Sequence, residues 1–162
     1  MGLDQYLYAR CYLSDDTHED IAERVVYDNI AKELDTRKFS DVTRLSIQVV
    51  VEVMYWRKMY DIDHWFKENC GYGDEVYVSR EKLWELFGLC KQAVANREAP
   101  VVLVPSVTTM EGLRIDNTTE ATILGGANYD EHDWQVLKRT IVGLAKVLEN
   151  TPKKYHFYYQ SS

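Results

Sequence analysis

Residues 43–53 read Thr-Arg-Leu-Ser-Ile-Gln-Val-Val-Val-Glu-Val, and their alternation decides the fold class. Leu45, Ile47, Val49, Val51 and Val53 share one face. Arg44, Ser46, Gln48 and Glu52 share the other, with Val50 among them. A period of two in β-branched residues predicts a half-buried strand. The N-terminal stretch repeats the pattern. Leu3, Leu7, Ala9, Cys11 and Leu13 point one way, with Gln5 the exception, and Asp4, Tyr6, Tyr8, Arg10 and Tyr12 point the other. This too predicts a strand.

Past Val53 the period changes. Tyr55, Met59, Ile62 and Phe66 recur at helical spacing and predict a helix over 54–69, stopped by Gly71 and Gly73. Between the first two strands, Thr17 opens a helix with Asp20 three residues on. Its expected buried stripe is Ile21, Val25, Val26, Ile30 and Leu34. Val76-Tyr77-Val78 reads as a short edge strand. Ser79 caps a helix whose core stripe is Leu83, Leu86, Phe87, Cys90 and Val94, with Asn96 as terminator. Val101 to Val104 reads as a short strand. Residues 106–124 are Thr-rich and read as a protruding hairpin or loop. Asp130 and Asp133 suit the first turn of a last helix, with Trp134, Leu137, Ile141, Leu144 and Leu148 facing inward and Pro152 ending it. Tyr155 to Gln160 is the final strand.

The expectation is one α+β domain over 1–162. It holds a single, mostly antiparallel sheet of about four to six strands, including the N- and C-terminal ones, packed by about four helices. The 162 residues suffice for one real core. A net charge of −7 with no Lys/Arg run disfavours a long nucleic acid as partner. The start MGLDQYLYAR carries Asp4 and no long apolar run, so no signal peptide is expected, and no window reaches the ~20 apolar residues of a membrane helix. Cys11, Cys70 and Cys90 lack a paired spacing and read as reduced thiols in a cytosol. Oligomeric state stays open.

Several stretches resemble a family of small proteins encoded by tailed bacteriophages. They are MGLDQYLYAR, EVMYWRKMYDIDHWF at 52–66, YVSREKLWELFGLCK at 77–91, NYDEHDWQVLKRTI at 128–141 and the terminal FYYQSS. The typical member has a hydrophobic residue where Gln5 stands, a smaller pair at Met59-Tyr60, and a shorter segment rich in aromatics and Gly in place of 106–124. The resemblance implies a phage accessory product acting in the bacterial host cytoplasm, in host takeover or anti-defence. No catalytic residue comes with it.

Two constellations could bind a ligand. The polar face of the first strand carries Tyr6, Tyr8 and Arg10, joined by Tyr158 in one register of the last strand. Rings stack on nucleobases and a guanidinium pairs with phosphate. The alternative is that helices cover this face. On the expected 54–69 helix, Arg57, Asp61, His64 and Glu68 form a stripe flanked by Trp56, Tyr60 and Trp65. Either it is a pocket wall where Arg57 grips an anion and His64 handles a proton, or it is a solvated, salt-bridged face.

Metal and cofactor chemistry find less support. His64 and Cys70 with Asp61 and Asp63, and the run Asp130 to Asp133, match no zinc spacing, so no metal is expected. Gly125-Gly126 lacks the P-loop lysine, and Cys70 with His64 reads more simply as a helix end than as a nucleophile pair. No cofactor is expected.

These features favour non-catalytic binding of a small nucleotide-like ligand. Candidate residues are Tyr6, Tyr8, Arg10, Trp56, Arg57, Tyr60, His64 and Tyr158. The alternatives are a protein–protein inhibitor of a host enzyme or defence component, and a small metal-independent hydrolase or nuclease built on His64, Arg57 and an Asp.

Overall fold

The structure, a computed structural model, describes residues 2–14, 21–35, 38, 45–98, 124–125 and 128–162. The elements run β1 (Asp4–Ser14), α1 (Ile21–Leu34), β2 (Ser46–Arg57), α2 (Tyr60–Cys70), β3 (Glu75–Val78), α3 (Arg80–Glu98), α4 (Glu131–Asn150) and β4 (His156–Ser161). The four strands form one antiparallel sheet in the order β2-β1-β4-β3. The α+β architecture with about four helices is therefore as the sequence predicts. Thr17, Asp20, the 101–104 strand and nearly all of the 106–124 hairpin lie outside the described residues.

The inward face of β1 is the odd-numbered set, Gln5 to Leu13, all buried. Leu7 and Ala9 join Phe157 and Tyr159 of β4 and Val78 of β3 under three helices. Ile62, Trp65 and Phe66 come from α2, Leu83, Leu86 and Cys90 from α3, and Trp134, Leu137, Leu144 and Leu148 from α4. Phe66 stacks on Tyr159 at 4.0 Å between ring centroids. Burying a large side chain contributes roughly 1.5–3 kcal/mol, so this layer fixes which way the sheet faces.

Helix ends follow local chemistry. Asp130 accepts from the Asp133 N–H and Asp133 accepts from the Asp130 N–H, closing a capping box on α4. Ser79 Oγ accepts from the Lys82 N–H at the start of α3. Gly71 ends α2 with a φ of 119°, a conformation open to glycine. Asn96 does not end α3, which runs on to Glu98.

Two expectations about the first half are corrected. Residues 54–57 belong to β2 rather than to a helix. Leu7 pairs with Met54 but Tyr8 pairs with Glu52, so Val53 is an extra residue in β2, a β-bulge. The bulge resets the two-residue phase, which is why Met54 and Trp56 point inward while Tyr55 and Arg57 point outward. Read along the sequence, that phase reset imitates a change to helical period. The chain then turns at Lys58, which has a φ of 57°, and α2 begins at Tyr60.

The second correction concerns α1. Its expected core stripe is largely exposed: Ile21 is 82% and Val25 53% accessible, and Val26 and Leu34 are also exposed. Tyr27 is the residue of α1 that enters the core, beside Cys11 and Leu13, and its hydroxyl donates to the Leu45 carbonyl at 3.0 Å. A bulky ring with a hydroxyl that reaches a backbone acceptor sets the rotation of the helix, and the aliphatic stripe turns away.

Candidate functional site: an open tyrosine face

Helices α2, α3 and α4 pack on one side of the sheet, so among the described residues no helix covers the other side. The outward residues of four strands meet there. β1 supplies Asp4, Tyr6, Tyr8, Arg10 and Tyr12. From β2 come Gln48, Val50, Glu52, Tyr55 and Arg57, from β3 Glu75 and Tyr77, and from β4 His156, Tyr158 and Gln160.

The rings form a band that is bridged at its middle by the Arg10 guanidinium. Tyr6 lies 5.3 Å from Tyr55 and 5.8 Å from Tyr8, nearly parallel to the latter. The Arg10 guanidinium sits 5.7 Å from the Tyr8 ring and 4.7 Å from Tyr158, within cation–π range of both. Tyr158 then meets Tyr77 edge-on at 5.9 Å, and Tyr77 meets His156 at 6.2 Å.

Arg10 is not waiting for an anion. Its two terminal nitrogens donate to both oxygens of Glu75, with Nη1 at 2.6 Å from Oε2. This bidentate bond, ahead of the loss of solvation, holds the guanidinium more firmly charged than usual. Its Nε is buried without a partner. At the other end of the band Tyr55 donates to Asp4 at 2.6 Å, which pushes the phenol upward, and Arg57 stands 3.9 Å from the same carboxylate. Between these pairs Glu52 faces Tyr8 across the strands and, among the described residues, has no ion-pair partner. Burial first, and then the Glu52 charge, push the Tyr8 hydroxyl up.

The eight sequence-derived candidates separate into three places. Tyr6, Tyr8, Arg10, Arg57 and Tyr158 come together on the open face. Trp56 is on the opposite side, 2% exposed, and donates its indole N–H to Thr140 Oγ1 at 2.8 Å. Tyr60 and His64 are exposed on α2, on the helix side of the sheet. The stripe from Arg57 to Glu68 does not exist as a unit, because Arg57 ends a strand. Tyr55, Tyr77, Glu52 and Glu75 join the face without having been singled out; the alternation of 43–53, continued past a bulge, is the signal for the first and third.

Polar groups on the helix side serve packing. Asp63 is buried and accepts from Tyr159 Oη at 2.7 Å and Lys67 Nζ at 2.6 Å. Burial pushes its carboxyl upward, but these bonds outweigh it and leave the group below its ordinary value. Burial pushes the Cys70 thiol to about 11 and Cys90 to about 12, far from the range of an activated nucleophile. Among the described residues no three His, Cys, Asp or Glu side chains converge as a metal site, and no described helix is long and apolar enough to cross a membrane.

In comparisons with known proteins, no family model matches the chain, and no curated protein or solved structure matches it significantly.

Proposed function

We propose that this protein acts by non-catalytic binding through its open tyrosine face, and that the partner is a protein surface presenting basic side chains. The observation that carries this reading is the band from Tyr55 through Tyr6, Tyr8 and Tyr158 to Tyr77, with its one inner cation already satisfied by Glu75. Tyrosine and arginine dominate interface hot spots because they bring large area and a polar tip at low entropic cost. Glu52, beside the rings and without an ion-pair partner among the described residues, is a ready acceptor for a partner's Lys or Arg, and the net charge of −7 favours the encounter with a basic surface. The resemblance to phage proteins supports placing this activity in infection, as an inhibitor of a host enzyme or defence component in the bacterial cytoplasm.

A second reading, sequestration of a nucleotide-like small molecule, is favoured by Arg10 lying between the Tyr8 and Tyr158 rings. It requires Glu75 to give up Arg10 to a phosphate.

One experiment separates the two. Host lysate is passed over immobilised wild type and a folded Tyr6→Ala/Tyr8→Ala variant, and both are scanned for thermal shifts with mononucleotides and short cyclic nucleotides. A salt-sensitive protein retained by the wild type and lost by the variant supports the first reading. Equal retention by both overturns it. Nucleotide stabilisation that grows in Glu75→Gln, reaching about 2.7 kcal/mol at 100 times the dissociation constant, supports the second.

A further inference from the structure

We infer that β2 pairs with the β2 of a second copy, edge to edge and antiparallel, about a two-fold axis at Val50. β2 has 12 residues and a hydrogen-bonded neighbour, β1, on one side; no described strand lies on the other. Alternate residues of such a strand direct N–H and C=O groups away from the sheet. Two of the usual protections of an edge are missing: Ser46–Arg57 contains no proline and no lysine, three consecutive valines lie at its middle, and its bulge, at Val53, falls at the margin of the segment that would pair.

The exposure pattern identifies the occupant as a strand. Val50 is 46% and Val51 44% accessible. They face opposite sides of the sheet, Val50 beside Arg10 and Val51 beside Ala9. A helix laid on one side would cover only one of them. A neighbouring strand covers both, because its side chains alternate in the same way.

The sequence of β2 is complementary to itself in one register. With Val50 opposite its own copy, Val49 meets Val51 and Ile47 meets Val53 on the inner side. On the outer side Gln48 meets Glu52, an amide donor against a carboxylate. A two-fold at Glu52 would set like charges face to face, and one at Val51 would set Glu52 against Val50; both are disfavoured. The axis at Val50 stands perpendicular to the sheet. The two sheets therefore become one, with both tyrosine faces on the same side. This pairing does not depend on what the tyrosine face binds.

The test is solution mass and register-specific crosslinking of the whole chain. Sedimentation equilibrium over micromolar to submillimolar concentration should give twice the chain mass of 18.9 kDa. Val50→Lys, which sets two like charges across the axis, should return the mass to the single-chain value with unchanged circular dichroism. Val50→Cys should form a disulfide-linked dimer under mild oxidation, whereas Gln48→Cys, which faces Glu52 of the other copy, should not. A single-chain mass at all concentrations overturns the inference. So does a dimer in which Gln48→Cys links as readily as Val50→Cys. If Val50→Lys fails to fold, the crosslinking pair still decides.

Discussion

Both ends of the Gln5 side-chain amide are bound to the backbone of Met59. The Gln5 Nε2 donates to the Met59 carbonyl at 2.8 Å, and the Met59 N–H donates to Gln5 Oε1 at 3.2 Å. Gln5 is fully buried, and Met59 sits in the turn between β2 and α2. A side chain thus completes the backbone pairing where the chain leaves the sheet. Gln5→Leu keeps the volume but leaves the buried Met59 N–H without its acceptor, while the Met59 carbonyl keeps the Asp63 N–H. An orphaned buried donor costs about 1–3 kcal/mol, so urea unfolding should show a loss of about that size with little change in slope.

Asp63 should give stability an acid-sensitive component. Its folded value lies below the ordinary 3.8 because the bonds from Lys67, Tyr159 and Ser161 outweigh burial. A depressed carboxylate stabilises above its unfolded value, and that contribution is lost as pH falls through the lower folded value. The gap in unfolding free energy between wild type and Asp63→Asn should be constant at neutral pH and shrink below about pH 4. A gap that persists unchanged at lower pH would contradict the assignment.

The thiols should be quiet. With Cys70 near 11 and Cys90 near 12, little thiolate exists at neutral pH. Iodoacetamide labelling of folded protein, read by mass spectrometry, should be slow for both and become fast in denaturant. Rapid native labelling of Cys70 would revive it as a reactive group.

Gly143 permits α4 to approach β2. A Cβ placed there would run into the end of the Met54 side chain, its Sδ and Cε. Because these atoms are the far end of a flexible side chain that can swing aside, Gly143→Val should cost no more than about 1 kcal/mol, the low end of overpacking. Met54→Ala, destabilising alone, should recover part of that loss in the double variant, a non-additivity measurable by a thermal-unfolding cycle.

The Arg10–Glu75 pair should matter more to binding than to folding. Both side chains keep some contact with solvent, and such pairs contribute about 0–1 kcal/mol. Glu75→Gln should therefore change the melting temperature little while changing what the tyrosine face retains.

Much of this was legible in the residues. Alternation in 3–13 and 43–53 placed two strands, and the steps of three and four from Trp134 to Leu148 placed α4, because these patterns are set by local geometry alone. The face carrying Tyr6, Tyr8, Arg10 and Tyr158 was also readable, since β1 alternates without interruption. What failed needed information across the chain. Val53 is an extra residue only relative to Leu7 and Tyr8, so nothing local announces the bulge, and the residues around Trp56 and Arg57 read as helical. In α1 the choice between Tyr27 and the aliphatic stripe depends on a carbonyl at Leu45, 18 positions away.

The bulge has a consequence for how this chain tolerates change. Downstream of Val53, inside and outside are assigned by counting. Removing Val53 alone would let Met54 follow Glu52 directly in a regular ladder, so the indole of Trp56 would stay inside and the Tyr55 phenol outside. The bulge is therefore a reserve of length: a one-residue loss there is far less damaging than one in the regular stretch from Ile47 to Val51, where side chains beyond the cut must change face.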